Sequence, residues 1–147
     1  MNTYLLHTFY LFDMEKVNVI FHIFMKLMTK FLPKLAAMFN ELGIQCSVFL
    51  FEWIVCGFAN IFPLEVSARL WDSFFFYGDY YLMKICLAVA TVLEKQVLAP
   101  ENDSFEMLII LFKNIGKYVG AEQLFTAIDK VQLTEKQYDT YKREIEN

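Results

Sequence analysis

Proline and glycine are scarce in this chain, with three and five respectively among 147 residues. Asn-Gly and Asp-Gly hairpin turns are absent, and so is sustained apolar–polar alternation. No strand signal therefore competes with helix. Basic clusters are also missing. Lys and Arg number 13 against 17 Asp and Glu, the net charge is −4, and the cations are scattered. Nucleic-acid binding needs clustered positive charge to displace counterions, so that class is excluded. Histidine is rarer still: His7 and His22 form neither HExxH nor HxxxH, and zinc chemistry has no support. Both histidines are expected at helix surfaces or core edges.

The three cysteines, Cys46, Cys56 and Cys86, fit no metal spacing and no CxxC pair. In an apolar setting they read as reduced core thiols of a cytosolic protein. The opening segment has no basic region before its apolar run and no small-residue cleavage site, which argues against a secretory signal. A long apolar run free of charge is missing as well. The two best candidates for a membrane span, Cys46 to Leu64 and Ser73 to Leu93, carry Glu52 with Pro63 and Asp79 with Lys84. An acidic group at the centre of a spanning helix costs about 2.5–3.5 kcal/mol. Such recurring charges suit amphipathic helices in a soluble core.

What is abundant is apolar side chain. The composition is 57% hydrophobic with 16 Phe, above the usual share of about 45–50%. That content can offset the entropy of ordering, so disorder is excluded. The excess points either to a membrane protein or to part of a larger fold that would cover some of this surface.

Nearly every segment reads as helix. From Met14 to Leu32, apolar residues recur at three- and four-residue steps behind an Asp13 N-cap. Pro33 ends or kinks that helix. A short helix from Lys34 to Leu42 follows, with Gly43 in the left-handed position after it. The next helix, Cys46 to Ile61, is apolar almost all round and is expected to be the central buried one. Pro63 suits the first turn of a helix from Leu64 to Tyr77, which Gly78 stops. Asp79 caps a helix running to Val97, with Leu82, Ile85, Cys86, Val89, Ala90 and Leu93 inward. Pro100 opens a polar loop, and Ser104 to Val119 is helical. Ala121 to Asp129 forms a further helix. Thr134 and Gln137 fit a capping box before a polar surface helix, Glu135 to Ile145. The expectation is one all-α domain over residues 1–147, a multi-helix array of seven to nine helices with no dividing linker and no internal repeat.

One ordered set of residues is more specific than this. The chain reads FHIFMKLM from Phe21, then Pro33-Lys34-Leu35, then Leu42-Gly43-Ile44. Trp53, Phe62-Pro63-Leu64, Arg69-Leu70-Trp71-Asp72, Phe74-Phe75 and Gly78 follow. Each piece is weak alone, and their joint order is specific, most of all PLEVSARLWD. This succession resembles the C-terminal half of a TBC domain, the Rab GTPase-activating fold. The likeness is strongest over residues 14–96, with Trp53, Pro63, Leu64, Arg69, Trp71, Asp72 and Gly78 as its structural signature.

The resemblance implies a regulator of Rab-type small GTPases in vesicle trafficking. It would be cytoplasmic and peripheral on endomembranes through its partner, and not itself an enzyme. No cofactor is implied. In that family a glutamine finger sits in YxQGMN and an arginine finger in IxxDxxR. Neither pattern occurs in this chain, so no catalytic residue carries over. The opening Met1-Asn2 and Tyr4-Leu5-Leu6 look like the continuation of the glutamine motif, which would place the family's Gln just before Met1. The expectation is weak or absent activation. With the preceding half missing, an apolar face around Leu5, Leu6 and Phe9 is expected to favour self-association.

Arg69 is the tempting substitute finger. Its i,i+3 spacing from Asp72 instead predicts an ion pair that holds the guanidinium in place. Trp71 reads as core filling, and Glu52 as an edge carboxylate paired with a base. Ser47, Ser67 and Ser73 have no His–Asp company and no nucleophile elbow. No glycine-rich phosphate loop is present. The alternatives are a helical scaffold with no GTPase partner and a small integral membrane protein.

Overall fold

Asp13 starts the first described helix as its sequence position predicts: its carboxylate accepts the Lys16 backbone N–H at 3.4 Å. A computed structural model describes residues 13–59, 62–97, 110, 114 and 120–146. Within them are seven helices and no strand: α1 (Met14–Phe31), α2 (Pro33–Leu42), α3 (Ser47–Val55), α4 (Leu64–Tyr77), α5 (Asp79–Val97), α6 (Ala121–Lys130) and α7 (Glu135–Glu146). The fold class is all-α, as expected. The opening segment with Leu5, Leu6, His7 and Phe9, and nearly all of the expected Ser104–Val119 helix, lie outside the described residues.

The apolar stripe of α1 (Val17, Ile20, Phe21, Ile23, Phe24, Leu27 and Met28) is buried. Pro33 does more than end this helix. It opens α2 at the first helical position, where its missing donor is no loss. Gly43 then takes φ 70°, and the Ile44 N–H donates to the Phe39 carbonyl at 2.8 Å, closing α2.

The central element is α5, not the helix at Cys46. Every residue from Ile85 to Ala90 is buried, and α5 packs against α1, α4, α6 and α7. Ala88 and Ala90 let neighbouring helices approach a side of α5 that larger side chains would hold away. The apolar α3 is shorter than expected and lies at the margin, with Glu52 and Cys56 exposed. It docks through aromatic rings. Phe49 sits 4.7 Å from Trp53, 5.7 Å from Phe39 and 6.4 Å from Phe24, centroid to centroid.

The terminal helix α7 departs from a purely surface role. Tyr138 is buried, and Tyr141 and Ile145 pack against the core. On its outer side Lys26 pairs with Glu144 at 3.2 Å, and both Lys26 and Lys30 lie over the Tyr141 ring. The capping box is formed in both directions: Thr134 N–H donates to Gln137 Oε1 and Gln137 N–H to Thr134 Oγ1, each at 3.1 Å. Among the described residues no helix is long and apolar enough to cross a membrane.

Candidate functional site

The signature residues meet at the junction of α3 and α4 and along α4. Trp53 is 1% exposed and is held between Phe49 and Phe58. The chain then turns sharply. Gly57 has φ 58° and Phe58 has φ 65°, two consecutive left-handed residues of which the second carries a large side chain. Such a conformation costs a non-glycine residue roughly 1–2 kcal/mol. Burial of the Phe58 ring, 2% exposed, opposes that cost, and the Phe58 N–H donates to the Trp53 carbonyl at 2.9 Å. The helix expected to run to Ile61 therefore ends at Val55.

Trp71 explains why the turn falls there. Its indole N–H donates to the Gly57 carbonyl at 2.9 Å. A Cβ built at Gly57 would collide with the same indole. The ring is half-buried rather than pure core filling, and it continues into Phe75 and Phe74 at 5.2 and 6.0 Å.

Pro63 is the residue just before α4, not within its first turn. Its carbonyl accepts the Ser67 N–H at 3.0 Å. Leu64 begins the helix and is 76% exposed. Gly78 ends α4, where its N–H donates to the Phe74 carbonyl at 2.8 Å, and α5 begins at the next residue. Asp79 is thus the buried first residue of α5 rather than a cap ahead of it.

Arg69 does not pair with Asp72. Its guanidinium lies over the Phe125 ring of α6, 3.9 Å from the centroid, while Asp72 is exposed. A planar cation is weakly hydrated, and stacking on a ring face competes well with a solvated i,i+3 contact. The guanidinium is thus held against α6 rather than against its own helix. Glu52 is exposed, and among the described residues it does not form the expected ion pair.

The cysteines divide. Cys46 and Cys86 are buried and Cys56 is exposed, so only two are core thiols. Burial pushes the Cys46 thiol up to about 12, and its Sγ lies 3.7 Å from the Phe21 carbonyl it can donate to. Burial raises Cys86 further. Tyr81 is also raised, by burial first and then by the negative Asp129. His22 is exposed on α1, where it lines an open groove of about 540 Å³ with Asn18, Lys26, Asn40, Gln45 and Ser47.

Two residues of this junction escaped the sequence reading. Gly57 carried a usable signal, a glycine inside an apolar helical run, which marks a break or a close approach. Phe125 carried none, since its partner Arg69 lies on a distant helix.

Comparison with known proteins bears on this arrangement. The family model for the Rab-GTPase-TBC domain (RabGAP-TBC) matches residues 1–98. Drainin of Dictyostelium discoideum is 25% identical over 107 residues, covering 73% of this chain. Growth hormone-regulated TBC protein 6 of Caenorhabditis elegans is 25% identical over 128 residues, covering 85%. GTPase activating protein Gyp51 of Schizosaccharomyces pombe is 31% identical over 128 residues, covering 87%. The chain spans 24%, 38% and 11% of those relatives' own lengths.

Proposed function

Since the chain belongs to the Rab-GTPase-TBC domain family, we propose that it docks a Rab-type small GTPase without completing the chemistry of GTP hydrolysis. The observation that carries this reading is the family match over residues 1–98, which takes in Trp53, Pro63, Leu64, Arg69, Trp71, Asp72 and Gly78. These residues act as the scaffold of the module, with Trp71 and Gly57 joining α3 to α4. The resemblance assigns hydrolysis to an arginine and a glutamine, in IxxDxxR and YxQG, and neither pattern occurs in this sequence. Such an arginine neutralises charge on the transferring phosphoryl group and is worth about 10³–10⁵ in rate. Arg69, stacked on Phe125, does not replace it. The module is cytoplasmic and reaches endomembranes through its GTPase, and the apolar sequence around Leu5, Leu6 and Phe9 favours self-association.

A Rab-panel pull-down paired with single-turnover GTP hydrolysis tests this. The expected result is GTP-dependent capture of at least one Rab with hydrolysis unchanged. Stimulation within about tenfold of an intact family domain, against the 10³–10⁵ expected of a finger, overturns the inactive reading. Capture of no Rab at all overturns the docking reading and leaves a helical scaffold.

A further inference from the structure

The outer side of α4 joins an apolar strip to an acidic margin. At about 100° per residue, Leu64, Ala68, Trp71 and Phe75 fall within about 60° of one another over about 16 Å of helix. Leu64 is 76% exposed, Phe75 is 39% exposed and Ala68 is exposed, while Trp71 forms the inner edge. Steps of four, three and four residues are those by which one helix receives the side chains of another. Beside this strip, about 40–60° further round, stand Glu65 and Asp72. Both are exposed, and neither forms an ion pair among the described residues. The helix's one cation, Arg69, lies over the Phe125 ring on the far side of Glu65 from the strip and remains exposed. The margin next to the strip is therefore acidic.

We propose that this face docks an amphipathic helix of a partner protein, one that sets Leu- or Phe-type residues on the strip and Lys or Arg over Glu65 and Asp72. Charge complementarity selects this occupant. A second copy packed antiparallel about a two-fold axis would set acidic margin against acidic margin, and like charges brought that close repel. An anionic lipid surface is disfavoured by the same carboxylates. The inference stands apart from the GTPase reading, since it uses no finger and no nucleotide.

The test uses the full chain and two synthetic peptides of about 18 residues. Both carry leucines at i, i+4, i+7 and i+11. One has lysines on its flank and the other has glutamates there. Fluorescence anisotropy should show saturable binding of the lysine peptide, about tenfold tighter than the glutamate peptide and weaker at high salt. The Glu65→Lys/Asp72→Lys variant should reverse that preference, and Leu64→Ser should weaken both peptides about fivefold, as expected for losing a buried leucine contact. These positions are exposed, and circular dichroism checks that the fold persists. If the double reversal unfolds the chain, Glu65→Gln/Asp72→Asn should abolish the preference instead. Absence of saturable binding, or a preference indifferent to the charge variants, overturns the proposal. A dimer in sedimentation that Leu64→Ser dissolves overturns it in favour of a second copy.

Discussion

The indole of Trp71 occupies the space that a side chain at Gly57 would need, and it donates a 2.9 Å hydrogen bond to the Gly57 carbonyl. One tryptophan thus both requires a glycine and satisfies its backbone. The pair fixes where α3 stops, and so the angle at which α4 leaves.

Gly57→Ala should be among the most damaging small substitutions. The left-handed φ costs roughly 1–2 kcal/mol and the collision with Trp71 a further 1–3 kcal/mol. Gly43 offers the control, since it has φ 70° but open space around it. Gly43→Ala should cost about 1 kcal/mol. Urea unfolding of the two variants compares them, and equal losses would refute the packing argument.

Trp71→Phe keeps much of the ring and removes the donor. The Gly57 carbonyl loses its partner, and the expected loss is about 1–2 kcal/mol. Trp71→Phe combined with Gly57→Ala should lose less than the sum of the two single losses, because the collision partner is smaller. Additive losses in thermal melts would argue against direct coupling.

Thr134→Ala removes one arm of the capping box. About 1 kcal/mol should be lost, concentrated in α7. Hydrogen exchange should rise first at the N-terminal amides of that helix. A uniform change across the chain would contradict a local cap.

The thiols give a pH-dependent prediction. Burial holds Cys46 protonated, with its pKa raised from the ordinary 9.0 to about 12, and Cys86 is raised in the same sense. A pKa raised by folding leaves stability complete below the unfolded value, near 9, and removes it as pH climbs toward 12. The unfolding free energy should therefore fall between those limits, and less steeply in Cys46→Ala once its lower baseline is subtracted. At neutral pH in native protein, Cys56 alone of the three should react quickly with a thiol reagent. Fast labelling of all three would mean that the core is open.

Arg69→Lys should weaken the contact between α4 and α6, since an ammonium cannot lie flat on the Phe125 ring. The loss should be about 0.5–1 kcal/mol, as for a partly exposed cation–π contact. Asp72→Asn should change stability by less than about 0.5 kcal/mol, because among the described residues Asp72 forms no ion pair. The reverse order would restore the ion pair read from spacing.

The helical class, the buried stripe of α1, the Asp13 cap, the Gly43 stop and the Thr134–Gln137 box were all legible in the sequence. Each depends on residues within a few positions of one another, where 3.6-residue periodicity and capping chemistry act without knowledge of the rest. The family was legible for a different reason, the joint order of short motifs from Phe21 to Gly78. What tertiary structure alone decided is which partners meet across the fold. It placed α5 rather than α3 at the centre, ended α3 at Val55 against the Trp71 indole, and drew Arg69 from Asp72 to Phe125. Local spacing lists the contacts a side chain could make. Only packing decides among them, because a ring or a carbonyl brought from another helix competes with the near neighbour for the same group.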